Sequence, residues 1–106
     1  MPIRHERHRA PRYPFIATLE LTDIESERQL TARTRDLNLF GCFAESGDTF
    51  PADTKVRLRI LRSGLIASVL GKVVYSRPGS GMGIQFVTIE PNSLPVFEEW
   101  LANLRS

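Results

Sequence analysis

Lys55, Arg57 and Arg59 alternate with Val56, Leu58 and Ile60 without a break. A period of two puts the apolar side chains on one face of an extended strand and the cations on the other; a helix would scatter both around its circumference. The pattern recurs. In "FIATLELT" Phe15, Ala17, Leu19 and Leu21 share one face; in "QLTARTRDL" Leu30, Ala32 and Thr34 oppose Thr31, Arg33 and Arg35. Met82, Ile84 and Phe86 share a face in "MGIQFVTI", and "CFAES" and "LIASVLGKVVYSR" complete the set. Polar or glycine-bearing segments separate these runs: Asp23–Arg28, "NLFG", Ser46–Thr54, Arg62–Gly64 and "RPGSG". Gly41 is free to take a positive φ in the "NLFG" turn, and Gly71 marks a bulge or bend in the long strand. About six short strands, each with one apolar face, predict a small antiparallel barrel, because closure removes the exposed edges.

The end of the chain has a different period. Leu94, Phe97, Trp100, Leu101 and Leu104 fall at helical spacing, which predicts one C-terminal α-helix over about residues 93–104. Asn92 or Ser93 can cap it, and Pro95 is tolerated in its first turn. Trp100 reads as a core anchor, and the helix as a cover for one end or edge of the barrel. The organisation is a basic, flexible arm at residues 1–12 and a single barrel-and-helix domain at 13–106.

The charge is distributed unevenly. Residues 1–12 carry Arg4, Arg7, Arg9 and Arg12 against Glu6, a balance of +3; residues 13–106 carry ten cations against eleven acids, a balance of −1. Twelve of the fourteen cations are arginine, whose flat fork pairs with phosphates and stacks on rings. Cys42 is the only cysteine, so no internal disulfide forms, and within "GCFAES" it reads as a small buried hydrophobe. No apolar run approaches the ~20 residues that span a bilayer, and the charged start lacks the apolar stretch of a secretory signal. The expectation is a cytoplasmic protein with no membrane insertion.

Catalytic signatures are missing. The sequence has no G-x-S-x-G elbow and no phosphate-binding P-loop. "GSGMG" lies between two strands, where it reads as a hairpin turn rather than a dinucleotide loop. His5 and His8 have no third ligand that would complete a metal site. The expectation is a binding module, not an enzyme, without a cofactor or metal.

Three segments carry a resemblance. "APRYP", "TRDLNLFGCF" and "GMGIQF", with the strand count and the terminal helix, resemble the PilZ-domain family of bacterial cyclic di-GMP receptors. That family has an R-x-x-x-R arm motif before the first strand and D/N-x-S-x-x-G between the second and third. The second motif runs here from Asp36 through Asn38 to Gly41, with Asn38 in the serine position. The first falls on His8-Arg9-Ala10-Pro11-Arg12, with His8 in the position of the first arginine and Arg7 and Arg9 beside it. The resemblance implies a mainly β fold, a six-stranded PilZ-like barrel, and a ligand site drawn from Arg7, His8, Arg9, Arg12, Asp36, Asn38 and Gly41.

It also implies what these residues would do. Arginines neutralise the two phosphates and stack on the two guanines, Asp36 accepts from a guanine edge, and the arm folds over the nucleotide. The implied function is a cyclic di-GMP receptor or adaptor that signals through a partner protein, in motility, surface attachment or exopolysaccharide control. The alternative is a degenerate PilZ domain that binds no nucleotide and acts as a protein–protein adaptor. A small barrel binding RNA or single-stranded DNA is the third class. The slightly acidic body and the absence of a basic stripe among its aromatics argue against it, so no nucleic-acid polymer is expected as partner.

Overall fold

The computed structural model describes residues 11–105. Its strands are β1 (Tyr13–Pro14), β2 (Thr18–Asp23), β3 (Gln29–Leu37), β4 (Gly41–Glu45), β5 (Lys55–Arg62), β6 (Leu65–Arg77) and β7 (Gly81–Ile89). A 3₁₀ turn at Pro91–Ser93 leads into the helix α1 (Leu94–Arg105). Six strands pair antiparallel in the order β3-β2-β5-β6-β7-β4, and β4 returns to β3, so the sheet closes into the expected six-stranded barrel. The short β1 is an addition beside the C-terminal end of β3, with Tyr13 opposite Leu37 and Pro14 opposite Asp36.

Alternation decides what fills the barrel. Val56, Leu58 and Ile60 are fully buried, while Lys55, Arg57 and Arg59 face solvent. Leu19, Leu21, Val69, Val73, Met82 and Ile84 join them from the neighbouring strands. Removing this apolar surface from water is the main force holding the barrel closed. The β5–β6 turn has φ of 55° at Ser63 and 79° at Gly64, the two positive values that a primed hairpin turn needs. The β6–β7 register shifts between Leu70 and Gly71, at the expected bulge.

The helix adds Phe97, Trp100 and Leu101 to the same core. Trp100 lies 5.2 Å from Phe15 and 6.0 Å from Phe97, and Phe97 meets Phe86 edge-on at 5.6 Å. Ser93 Oγ accepts from the Ser68 N–H at 2.9 Å, which ties the start of the helix to β6. Leu94 departs from the expected apolar face and is exposed, because it precedes the turn that meets the barrel.

The first strand also differs from the expectation. It does not run unbroken from Phe15, since regular pairing begins only at Thr18. Across the gap the buried Thr34 hydroxyl donates to the Phe15 carbonyl at 2.7 Å and accepts from the Ala17 N–H at 2.8 Å. One side chain thus satisfies two backbone groups that the ladder leaves unpaired, and Phe15 and Ala17 both stay buried. A hydroxyl is therefore required where the sequence pattern asks only for something small. Thr34→Val keeps the shape but orphans both groups, so unfolding stability should fall by about 2–4 kcal/mol. The exposed Thr31→Val should change it by less than about 0.5 kcal/mol. Urea denaturation of the two variants makes the comparison.

Candidate ligand-binding site

The inside–outside alternation of β3 fails at one place. Thr34 opposes Ala44 on β4 and Asp36 opposes Phe43, so Arg35 is an extra residue in the register. An insertion of this kind re-aims the side chains around it. Thr34 and Leu37 stay buried, while Arg35 is exposed and Asp36 half-buried. Strict alternation would have sent one of these two neighbours into the core; the bulge keeps both out of it.

Asp36 is a junction. Its Oδ1 accepts from the Phe43 N–H on the barrel wall at 3.0 Å and from Arg12 Nη1 at 3.3 Å. Among the described residues Oδ2 accepts nothing. The side chains of Arg12 and Asp36 are 39% and 24% exposed, so their ion pair is a surface one, worth about 0–1 kcal/mol. Arg12 is held beside the wall at little cost to its release toward another anion. The β1–β3 pairing fixes the chain just after it.

Asn38 ties the turn together. Its Oδ1 accepts from the N–H groups of Phe40 and Gly41 at 2.7 and 3.0 Å, and its Nδ2 donates to the Pro11 carbonyl at 3.2 Å. The first pair of bonds is a side-chain mimic of a backbone turn. The third reaches the arm. At 8% exposure the amide is almost wholly consumed by these contacts. Gly41 corrects an expectation. It has no positive φ. A Cβ there would collide with the Ile84 carbonyl oxygen, so the glycine is required by the close approach of β4 to β7 rather than by the turn.

From Asp36 the wall runs across four strands. The register aligns Asp36 with Phe43, Phe43 with Gly83, and Gly83 with Tyr75. Phe43 is only 1% exposed although its neighbours Cys42 and Ala44 are the residues that face the core cluster. The Arg35 guanidinium lies 4.1 Å from the Phe43 ring centroid, and the Tyr75 ring is 6.3 Å away. Arg77 lies 5.3 Å from the Tyr75 ring. Glu45 pairs with Arg33 at 3.0 Å and with Arg35 at 3.9 Å. Arg12, Arg33, Arg35 and Arg77 stand against Asp36 and Glu45, four cations to two anions.

The sequence reading brought Arg12, Asp36, Asn38 and Gly41 to attention, and the fold places them together at the end of β3. Arg7, His8 and Arg9 lie outside the described residues. Arg35, Phe43, Tyr75 and Arg77 were not singled out. The usable signal was Phe43, an aromatic whose phase in "CFAES" is outward and which therefore needs a cover.

Other features point elsewhere. A concavity of about 490 Å³ is lined by Asp23–Glu25 and Ala52–Lys55, at the other end of β2 from this wall. Cys42 is buried as expected, and burial pushes its thiol up to about 12, so the thiolate nucleophile is suppressed. Unfolding stability should accordingly decline as pH rises from the ordinary thiol value of 9.0 toward 12, because the unfolded chain ionises first. Among the described residues no group of three His, Cys, Asp or Glu can hold a metal ion. No helix among them is long and apolar enough to cross a membrane. What the wall offers is a fork-bearing, ring-backed surface suited to binding an anion.

The two functions of Asn38 separate by substitution. Asn38→Ala should destabilise the fold by about 1–2 kcal/mol and speed amide exchange at Phe40 and Gly41. Asn38→Asp should protect those two amides and lose only the bond to Pro11. Hydrogen exchange read residue by residue makes the distinction.

No curated protein matches the chain. A family match does: the PilZ domain, over residues 6–103, which takes in the second half of the arm, all seven strands and most of α1. PilZ domains are a binding family rather than an enzyme family, and their ligand is cyclic di-GMP. With the closed six-stranded barrel, the terminal helix and the Asp36–Gly41 turn in place, the chain belongs to the PilZ domain family.

Proposed function

We propose that this protein is a cyclic di-GMP receptor that signals through a partner protein, with the nucleotide lying on the outer wall beside Asp36. The observation that carries the reading is the Arg12–Asp36–Asn38 grouping: a lightly held guanidinium, a carboxylate with one unused oxygen, and an amide that fastens the arm to the turn. Each meets a chemical need of the ligand. Two phosphodiesters carry two negative charges, and an arginine fork is the strongest side-chain partner for them. A guanine edge presents N1–H and N2–H₂ donors, which Asp36 Oδ2 can accept. The excess of two cations on the wall matches the ligand's charge.

On this reading Arg12 exchanges Asp36 for a phosphate on binding, and Asp36 turns to guanine. Arg7, His8 and Arg9 would close from the arm side, and His8 would contribute a charge only when protonated. Closure of the arm over the nucleotide would link occupancy to a change of shape that a partner protein can read. The substitutions His8 and Asn38 favour a second reading, an adaptor that binds no nucleotide. Asn38 weighs less in its favour than His8, because its amide retains the turn-closing bonds.

Calorimetric titration with cyclic di-GMP at one stated salt concentration tests the reading. The wild-type protein should bind, and Arg12→Ala should weaken binding about ten- to a hundredfold. Wild-type affinity should rise from pH 8 to pH 6 as His8, with a reference pKa near ~6.5, gains its proton. Absence of wild-type binding at high micromolar nucleotide would leave the adaptor reading. A flat pH profile would remove His8 from the contact.

A further inference from the structure

The family pattern puts an arginine where this chain has His8, so the arm is short of one permanent cation. The barrel wall holds a guanidinium in a position to replace it. Arg35 stands next to Asp36 on the outer face of β3, and the bulge turns Asp36 outward beside it instead of into the core. The Arg35 guanidinium lies 4.1 Å from the centroid of the buried Phe43 ring. A cation held against a ring face loses little freedom when it takes a ligand, because the ring has already fixed it.

Its donors are also unspent. Glu45 is hydrogen-bonded by Arg33 at 3.0 Å, and its 3.9 Å separation from Arg35 is an ion pair without a hydrogen bond. Among the described residues no guanidinium N–H of Arg35 is hydrogen-bonded. The side chain is 54% exposed, within reach of a ligand. Arg59, by contrast, is committed to Glu20 at 2.7 Å. Arg35 thus combines four properties: adjacency to Asp36, fixation on a buried ring, free donors and exposure.

We propose that Arg35, stacked on Phe43, is a phosphate-binding residue of this site and supplies from the barrel wall the permanent positive charge that His8 does not supply from the arm. The inference rests on the cyclic di-GMP reading above and assigns part of that ligand's recognition to a strand residue outside both family motifs. The bulge is then the device that makes the replacement possible: one extra residue lets a phosphate clamp and a guanine acceptor sit side by side.

The test is titration calorimetry of the full chain with cyclic di-GMP, for wild type, Arg35→Met, Arg35→Lys and Arg57→Met. Met keeps an unbranched chain over the Phe43 ring without the charge, and Arg57 is an exposed cation on β5 that controls for net charge. Arg35→Met should weaken binding at least about tenfold, Arg35→Lys by less, because it keeps the charge without the flat fork, and Arg57→Met by less than about twofold. Wild-type affinity in both Arg35 variants would overturn the inference while leaving the receptor reading intact. So would equal losses in Arg35→Met and Arg57→Met, since bulk charge would then account for them. No binding by the wild-type protein would overturn the receptor reading and this inference together.

Discussion

One carboxylate oxygen joins the barrel to the arm. Asp36 Oδ1 takes a hydrogen bond from the wall at Phe43 and another from Arg12. The first bond stands at the bulge, where β3 and β4 fall out of register, and so bridges the ladder at its irregular point. The second draws the start of the described chain onto the same spot. Because closure of the barrel depends on β4 returning to β3, a contact at this seam belongs to the fold and to the site alike. The bulge is what allows it: a regular β3 would keep Arg35 or Asp36 from the outer wall.

The surrounding parts hold that seam in place. Trp100 from the helix packs on Phe15, immediately after β1, while β1 lies along the end of β3 that carries Asp36. Thr34, two residues before Asp36, replaces the missing ladder bonds between β1 and β2. Asn38, two residues after it, closes the turn and reaches Pro11. Helix, gap and turn therefore converge on five residues of β3 and its hairpin. The resulting surface is a wall rather than a pocket. Affinity on such a surface comes from charge-assisted hydrogen bonds and ring stacking more than from enclosure.

Much of this was legible in the sequence for a simple physical reason: period two reports which side of a strand is buried. It identified the inward faces of β5 and β2, and helical spacing identified Phe97, Trp100 and Leu101. The motif at Asp36–Gly41 was legible as a pattern. What it could not convey is anything that depends on register. Whether Asp36 points outward beside Arg35 is decided by the pairing of β3 with β4, which no local pattern encodes. Gly41 was noticed for the wrong reason, because the sequence suggests a turn while the constraint is the Ile84 carbonyl of a strand some forty residues on. Thr34 read as a small inward residue, and its hydroxyl matters only because β1 and β2 are discontinuous opposite it.

The central claim is that cyclic di-GMP binds on the outer wall at this seam. Chemical-shift mapping of the isotope-labelled protein, titrated with cyclic di-GMP to saturation, tests it most directly. The account predicts the largest amide and side-chain shifts at Arg12, Arg35, Asp36, Asn38 to Gly41 and Phe43, with the α1 face and the Asp23–Lys55 concavity unchanged. Shifts centred on that concavity or on the helix, or none at all at saturating nucleotide, would contradict it.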